Sequence, residues 1–325
     1  MLDVDIVIVG SGPVGLYAAY YAGFRGMRTA VIDSLPQPGG QVAALYPEKR
    51  IHDVAGLPGV RGRELVAGLL EQAETYRPHW LLSDSAEKLV RLPDGRLRLE
   101  TRAGEELTTT SIVIAAGIGT FTPRPLPAGS EYLGRGVEYF VTEPSEYADC
   151  DVLVVGGGDS AVDWALTLEP IARSVTLAHR RGVFTAHAGS VSELRASSVD
   201  IRTPYVVHAT SGDDRLQKVT LRDTANGEYH ELGCTRIVAA LGFTADLGAL
   251  NEWGLTIVDR HIVVDSTMCT GVPGIYAAGD VTEFPGKVRL ISVGFGEAAL
   301  AVNNAVVASD ASAQLFPGHS TATAA

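Results

Sequence analysis

Short apolar runs that end in glycine mark two places where the chain repeats one pattern. Residues 5–9 form a short run that is apolar and β-branched from Ile6 up to Gly10, which predicts a buried parallel strand, because strands covered on both faces are continuously apolar. A helical pattern from about Val14 to Phe24 and a second strand over 29–33 follow. The same order of elements returns later in the chain, over residues 151–155, about 160–168 and 174–179.

Weaker strand patterns fill the stretches around these two β-α-β repeats. They lie at residues 88–91, 96–100, 111–115, 205–209, 215–221, 236–240 and 274–278. A helical pattern from about Gly296 to Ser309 follows, and Pro317–Ala325 forms a small, polar tail. A duplicated β-α-β repeat with antiparallel insertions predicts an α/β chain of two doubly wound, Rossmann-like, three-layer nucleotide-binding domains.

The first repeat carries a G-x-G-x-x-G loop between its strand and its helix. Gly10 permits the tight turn, Gly12 lets the backbone approach a pyrophosphate, and Gly15 lets helix and strand pack closely. Pro13 opens the helix, whose N-terminus faces the anion. Asp33 ends the second strand, and its carboxylate can accept hydrogen bonds from both ribose hydroxyls. The first loop therefore predicts a site for FAD or NAD.

The second repeat has a similar loop but a different charge at the ribose end. The loop runs through Gly156, Gly157, Gly158, Asp159, Ser160 and Ala161. His179 stands 23 positions after Gly156, as Asp33 stands 23 positions after Gly10. Arg180 and Arg181 follow His179, so cations replace the carboxylate. Because arginine forms charge-assisted bonds to phosphate, this contrast predicts that the second loop binds NADP(H) through its 2′-phosphate.

Composition and charge restrict the function further. The 325 residues suffice for two domains, and a net charge of -12 disfavours nucleic-acid binding. The three cysteines are scattered without metal-type spacing, so no metal site is expected. The first residues lack the basic region of a signal peptide, and no apolar run approaches the ~20 residues of a membrane span. We expect a cytoplasmic protein.

Five motifs resemble the low-molecular-weight thioredoxin reductase architecture, in which an NADPH domain is inserted into an FAD domain. They occupy residues 10–15, 38–41, 156–161, 179–181 and 277–280. The resemblance implies an FAD-binding domain over 1–118 and 243–325 and an NADPH-binding domain over 119–242. Glycines at 117, 119 and 242 would serve as hinges between them.

One departure from the thioredoxin reductases changes the expected activity. Those enzymes carry a C-x-x-C pair ahead of their second glycine loop, whereas residues 136–141 contain no cysteine. Without a dithiol beside the flavin, two electrons cannot pass into a disulfide. Further motifs instead resemble the thioredoxin-reductase-like ferredoxin–NADP+ reductases, at residues 44–49, 53–56, 158–165, 251–255, 294–298 and 317–320.

This resemblance implies site residues and partners. Tyr46 would stack on one face of the flavin and His319 on the other. The other FAD-binding residues would be Gly10, Gly12, Pro13, Gly15, Asp33, Gln41, Asp53, Asp280 and Ser320. NADPH would contact Gly157, Gly158, Asp159, Ser160, His179, Arg180 and Arg181. The partners would be ferredoxin or flavodoxin and a second copy of the chain, joined through the FAD domains.

The expected reaction is hydride transfer from NADPH to flavin N5, followed by release of single electrons to ferredoxin or flavodoxin. No acid–base side chain is required. Two alternatives remain open: an NADPH–flavin reductase of a quinone, ferric chelate or disulfide protein, and a flavoprotein that senses nucleotides without catalysis.

Two points depart from or extend the family pattern. The family often has Phe-Arg-Ala-His-Glu after its arginine pair, whereas this chain has Thr185 and Ala188 in place of the arginine and the glutamate, which bears on the strength of NADPH preference. An acidic ferredoxin would need a local basic patch on a chain of charge -12. The candidates are Lys49, Arg50, Arg61 and Arg63, or Lys287 and Arg289.

Overall fold

A computed structural model describes residues 1–318, with the backbone alone described at residues 120–122, 244 and 245. The chain forms two compact units. The split unit joins Met1–Phe121 to the chain from Ala245 onward, and the inserted unit is Thr122–Thr244. These boundaries differ by two or three residues from those that the resemblance implies. The paired strands Thr120–Pro123 and Phe243–Asp246 span the two boundaries.

A parallel five-stranded sheet forms the centre of the split unit. In spatial order its strands are Ile275–Ala277, Ser111–Ile114, Ile6–Val9, Thr29–Asp33 and His79–Leu82. The first four of these are buried along their whole length, which explains their continuously apolar sequences. The chain crosses the sheet in both directions from the strand Ile6–Val9, as the doubly wound pattern predicts.

Four helices accompany this sheet: Pro13–Phe24, Gly40–Leu45, Gly62–Glu74 and Ile291–Ser309. Beside it lies a second sheet, ordered Leu2–Asp3, Glu106–Thr109, Leu97–Thr101 and Ala86–Arg91. Smaller elements complete the unit: the strands Arg50–Ile51, Val60–Arg61, Ile257–Val258, His261–Val263 and Thr282–Glu283, and a 3-10 turn over Gly248–Glu252.

The inserted unit repeats the plan. Its parallel sheet is ordered Val137–Glu138, Arg236–Ala239, Asp151–Val155, Ser174–Ala178 and Asp200–Arg202. Its helices are Asp159–Leu168 and Ala188–Ala196, with 3-10 turns over Ser130–Tyr132 and Pro144–Tyr147. A three-stranded antiparallel sheet contains Tyr205–Gly212, Leu216–Asp223 and Tyr229–Gly233. The predicted α/β fold with two Rossmann-like parallel sheets is confirmed.

The helix Ile291–Ser309 is the one described helix long and apolar enough to cross a membrane, judged by length and composition. Its residues Ala298, Ala301 and Val302 are completely or almost completely buried in the core of the split unit. Glu297, also buried, adds a charge to this inner face. The packing is that of a core helix.

Candidate nucleotide-binding sites

The three glycines of the first loop meet three different surroundings. Gly10 has a φ of +103°, and a Cβ atom on it would lie 2.5 Å from the carbonyl oxygen of Ala115. A Cβ atom on Gly15 would lie only 1.9 Å from the carbonyl oxygen of Gly10. On Gly12 it would meet no atom of the described residues within 4 Å. Gly10 and Gly15 are therefore required by the fold, whereas Gly12 faces open space at the N-terminus of the helix Pro13–Phe24.

Asp33 is buried at the end of its strand and is fixed by the loop. One carboxylate oxygen, Oδ2, accepts hydrogen bonds from the backbone N–H of Ser11 at 2.6 Å and from its hydroxyl at 2.7 Å. The other, Oδ1, accepts one from the backbone N–H of Leu35 at 2.9 Å. Each carboxylate oxygen has two lone pairs, so these bonds orient Asp33 without using its whole capacity as an acceptor.

A cavity of about 310 Å³ extends from this loop. Pockets that bind small molecules start near this size. Its lining includes seven of the residues expected at the FAD site: Gly10, Gly12, Pro13, Asp33, Gln41, Tyr46 and Asp280. The structure therefore brings the N-terminal loop, the segment after Gly40 and the turn at Asp280 to one cavity, although they are far apart in sequence.

Tyr46 and Asp280 stand close together at this cavity. Burial raises the pKa of the Tyr46 phenol, and the negative charge of Asp280 raises it further. The tyrosine therefore stays neutral and keeps its hydroxyl proton in the physiological range.

Two of the expected FAD residues in the described part of the chain, Asp53 and Gly15, do not line this cavity. Asp53 is exposed, and its carbonyl oxygen accepts a hydrogen bond from the Ser292 hydroxyl at 2.9 Å. Gly15 lies behind the loop, where it packs against Gly10. Both His319 and Ser320 lie outside the described residues, so their roles stay predictions.

The cavity also includes residues that the sequence did not suggest. Asp84, Ser85 and Ala86 line it. The backbone N–H of Asp84 donates to the carbonyl oxygen of Asp33 at 3.0 Å, which places this segment beside the predicted ribose end. Leu247 and Leu250 line it as well. The sequence patterns did not predict the strand His79–Leu82. This strand pairs in parallel with Thr29–Asp33, so the residues that follow it reach the same end of the sheet as Asp33.

In the second loop, Gly157 is in close contact with the His179 ring. A Cβ atom on Gly157 would lie 2.2 Å from that imidazole, which also stacks on Phe184 with ring centres 5.4 Å apart. Desolvation lowers the pKa of His179, and the charges of Arg180 and Arg181 lower it further. A lowered pKa favours the neutral imidazole, so positive charge at this strand end comes chiefly from Arg180 and Arg181, and the role of His179 in binding NADPH stays a prediction.

Arg180 and Arg181 are exposed, and no described residue bonds to either guanidinium group. The segment that follows them is tied to the loop. The Thr185 backbone N–H and hydroxyl both donate to the carbonyl oxygen of Gly157, at 2.8 and 3.1 Å. Asp159 Oδ1 accepts from the backbone N–H of His187 at 2.8 Å, so this carboxylate is directed to the segment after the arginines. The arginine pair therefore projects from an anchored segment.

Residues 136–141, which correspond to the dithiol segment of thioredoxin reductases, include two aromatic side chains, Tyr139 and Phe140. Within it, Phe140 stacks on Phe243 with ring centres 5.5 Å apart and planes 6° apart. The chain's three cysteines, Cys150, Cys234 and Cys269, are all unpaired thiols. In residues 1–318, no cluster of three or more His, Cys, Asp or Glu side chains could hold a metal ion.

The two candidate basic patches differ once the fold is known. Lys287 is wrong as a docking residue, because its side chain is only 2% exposed and pairs with Glu297. Arg289 pairs with Glu283 at 2.6 Å. In the other patch, one Glu48 carboxylate oxygen lies 2.7 Å from an Arg63 guanidinium nitrogen, and the other lies 3.6 Å from an Arg61 guanidinium nitrogen. Glu48 therefore neutralises part of the positive charge of this patch.

Fold and site together define a two-nucleotide oxidoreductase with parallel sheets and paired glycine loops. The family model described as pyridine nucleotide-disulphide oxidoreductase matches residues 4–306. A ferredoxin–NADP reductase of Frankia alni is 57% identical over 316 residues, which cover 97% of this chain and 98% of that protein. A ferredoxin–NADP reductase of Salinispora arenicola is 55% identical over 323 residues, covering 99% of each.

Solved structures with the same architecture include two thioredoxin reductases. That of Lactococcus lactis has a TM-score of 0.77 at 29% identity, covering 94% of this chain and 98% of that one. That of T. acidophilum has a TM-score of 0.78 at 25% identity, covering 96% and 99%. The chain belongs to the pyridine nucleotide-disulphide oxidoreductases and, within them, to the ferredoxin–NADP reductases of the thioredoxin-reductase-like type. Membership implies the use of a flavin and NADP(H).

Proposed function

We propose that this chain binds FAD in the split unit and NADPH in the inserted unit, and that it transfers electrons between NADP(H) and ferredoxin. The observation that carries the proposal is the charge contrast at matching strand ends. A buried carboxylate, Asp33, stands at one end, and an exposed arginine pair, Arg180 and Arg181, follows the other. A carboxylate suits free ribose hydroxyls, and guanidinium groups suit a 2′-phosphate.

The residues of the split unit fit FAD. Gly12 leaves space for a pyrophosphate beside the first N–H groups of the helix Pro13–Phe24, which have no side-chain cap. Asp33 is oriented by Ser11 at the end of the cavity where a ribose would bind. Gln41, Tyr46 and Asp280 supply polar groups along the same cavity, and the last two are near enough to interact electrostatically.

The residues of the inserted unit fit NADPH by the same logic. Gly158 caps the helix Asp159–Leu168 without a side-chain hydrogen bond, so its first N–H groups are available to a pyrophosphate. Thr185 and Asp159 anchor the segment that follows the arginines. The arginine lost from the family pattern at position 185 is thus replaced by an anchoring hydroxyl, and phosphate recognition falls to Arg180 and Arg181.

A bound flavin would supply the chemistry, since it accepts a hydride from a nicotinamide and gives up electrons one at a time. The protein's part is to bind and orient the nucleotides. Tyr46, neutral and largely desolvated, offers an aromatic face to the flavin. No acid–base side chain is needed. We propose flavodoxin as a second carrier, a homodimer joined through the split units, and a cytoplasmic location, each on the family resemblance.

Steady-state reduction of a cytochrome by NADPH, with and without added ferredoxin, tests the proposal. We expect the purified protein to be yellow, to be bleached by anaerobic NADPH, and to reduce cytochrome at a rate that rises strongly with ferredoxin. Rapid reduction of quinones or ferric chelates with no effect of ferredoxin would indicate a reductase of another acceptor. Flavin that NADPH does not bleach would indicate a nucleotide-sensing protein. Either outcome would overturn the proposal.

A further inference from the structure

A buried ion pair contacts Gly279, one of the residues that line the cavity of the split unit. Lys287 Nζ contacts Glu297 Oε1, and the two side chains are 2% and 4% exposed. Neither residue is required by the chemistry proposed above. Burying two charges carries a desolvation penalty for each ion, and apolar side chains of similar volume are often at least as stable. The pair therefore calls for an explanation other than general stability.

The pair holds both peptide groups of one residue, Gly279. The Gly279 N–H donates to Glu297 Oε2 at 2.7 Å. Lys287 Nζ donates to the Gly279 carbonyl oxygen at 3.0 Å. The Thr282 hydroxyl lies 2.8 Å from the same carbonyl oxygen and 3.2 Å from Glu297 Oε2, which closes the network. Each charged group therefore contacts the other and also forms a hydrogen bond to the backbone of the turn at Gly279 and Asp280.

The turn is also fixed from the opposite side. Gly279 has a φ of +84°, and a Cβ atom on it would lie 3.2 Å from the Val14 side chain. A Cβ atom on Gly294, in the helix that carries Glu297, would lie 2.4 Å from Val14. The turn is therefore packed between the first helix after the glycine loop and the last helix of the chain.

The next residue, Asp280, lines the cavity together with Gly279 and Tyr46. A small rotation of the peptide at Gly279 would move the Asp280 carboxylate relative to Tyr46 and to any ligand between the glycine loop and this turn. Because charge-assisted hydrogen bonds are about twice as strong as neutral ones, the ion pair limits that rotation more than a neutral pair could.

We propose that Lys287 and Glu297 are positioning residues, which hold the Gly279–Asp280 turn in the orientation that binds FAD. The proposal rests on the FAD site proposed above and extends it to two residues that do not touch the ligand. Because the ion pair acts through the turn, its loss should weaken FAD binding and change the surroundings of the bound flavin even where the fold is kept.

The test uses the holoenzyme and the double variant Lys287→Met/Glu297→Gln, which removes both charges together and leaves neither ion unpaired. FAD dissociation is followed by the recovery of flavin fluorescence, and the bound flavin by its visible circular dichroism. We expect the dissociation constant to rise about 10- to 100-fold, as for the loss of hydrogen bonds to charged groups. We also expect an altered visible circular dichroism spectrum.

The matched control is the exposed pair Lys218 and Glu231 in the inserted unit, which are 55% and 60% exposed and 2.8 Å apart. Lys218→Met/Glu231→Gln should leave both FAD readouts unchanged. Wild-type affinity and an unchanged spectrum in Lys287→Met/Glu297→Gln would overturn the proposal. Absence of FAD from the unaltered chain would instead overturn the proposed function, and this inference with it.

If the double variant fails to fold, Thr282→Val gives the same answer without touching a charge. It removes the hydroxyl that contacts the Gly279 carbonyl oxygen and Glu297. We expect Thr282→Val to raise the FAD dissociation constant and Thr282→Ser to restore it. Equal affinity in the unaltered chain and in Thr282→Val would then refute the positioning role.

Discussion

Asp33 and His179 occupy matching positions at the ends of two related strands, but their side chains serve different purposes. Asp33 is held by Ser11 and Leu35 beside an open cavity. His179 packs against Gly157 and Phe184, and desolvation lowers its pKa. The proposed recognition of the 2′-phosphate by Arg180 and Arg181 therefore leads to a prediction about single residues.

Replacing either arginine should weaken NADPH binding but not NADH binding. For Arg180→Ala or Arg181→Ala we expect a loss of ~1.5–3 kcal/mol with NADPH, the range for hydrogen bonds to charged groups. NADH has no 2′-phosphate, so its affinity should be unchanged. Equilibrium titration of each variant with both nucleotides measures the difference.

Arg195→Ala is the control for this prediction. Arg195 is exposed at the end of the helix Ala188–Ala196, in the same unit. It should leave both affinities unchanged, which separates a local phosphate contact from the general effect of removing one positive charge. Equal losses for NADPH and NADH in the arginine-pair variants would contradict the assignment.

At the scale of one element, the first glycine loop combines residues that the fold requires with one that we propose leaves space for a ligand. Gly15 allows the helix Pro13–Phe24 to approach the backbone of Gly10, whereas a Cβ atom on Gly12 would meet no described atom within 4 Å, and the φ of Gly12 is an ordinary -65°. Substitution by alanine should therefore weaken ligand binding at Gly12 and destabilise the fold at Gly15.

For Gly12→Ala we expect a folded protein of nearly unchanged stability that has lost FAD affinity by about tenfold or more, since its methyl group occupies ligand space. For Gly15→Ala we expect the free energy of unfolding to fall by about 3 kcal/mol or more, as for severe overpacking against backbone. Denaturant unfolding of the FAD-free proteins and FAD titration of the folded ones measure the two effects. A destabilised Gly12→Ala with normal FAD affinity would show the division of roles to be wrong.

The last helix shows how local pattern and packing can disagree. The sequence pattern placed its start near Gly296, but it begins at Ile291. Glycine disfavours helices, so Gly294 and Gly296 hide its first turn from a propensity argument. Packing overrides this preference, because Gly294 lets the helix approach Val14 and the Gly279 turn.

For the whole molecule, the dependence of stability on pH adds the contributions of all buried ionisable groups. Burial raises the pKa of the Cys234 thiol from 9.0 to about 12. It also raises the pKa of Tyr147 well above its usual range, with Glu138 adding to the effect. Both residues lie in the inserted unit. Because the folded state holds these protons more tightly than the unfolded state, their stabilisation is complete below the unfolded pKa and is lost as pH rises.

We therefore expect the free energy of unfolding to fall between pH 9 and pH 12, with Cys234 contributing about 4 kcal/mol at ~1.4 kcal/mol per pH unit. Cys234→Ala should reduce that slope, at a modest cost in stability at pH 7. Urea unfolding at a series of pH values provides the measurement. Cys269→Ala, a half-buried thiol in the other unit, is the control and should keep the larger slope. A slope in Cys234→Ala equal to that of the unaltered chain would count against this account.

The sequence by itself determined the features that depend on neighbouring residues. Three such features can be read from the linear chain. They are the glycine loops between an apolar strand and a helix, the equal 23-residue spacing to Asp33 and His179, and the lack of a dithiol at residues 136–141. Strand and helix formation follow largely from local pattern. This is why the α/β fold, the two repeats and seven of the residues that line the cavity were predictable.

Only the tertiary structure decided what depends on distant contacts and on burial. It placed Asp84 beside Asp33, left Asp53 outside the cavity, packed His179 against Gly157 and Phe184, and turned Lys287 from a candidate docking residue into half of a buried ion pair. The physical reason is that desolvation, and therefore charge state, depends on which segments surround a side chain. Those segments can be a hundred residues or more away in sequence, as the Asn303 contact to Tyr21 illustrates.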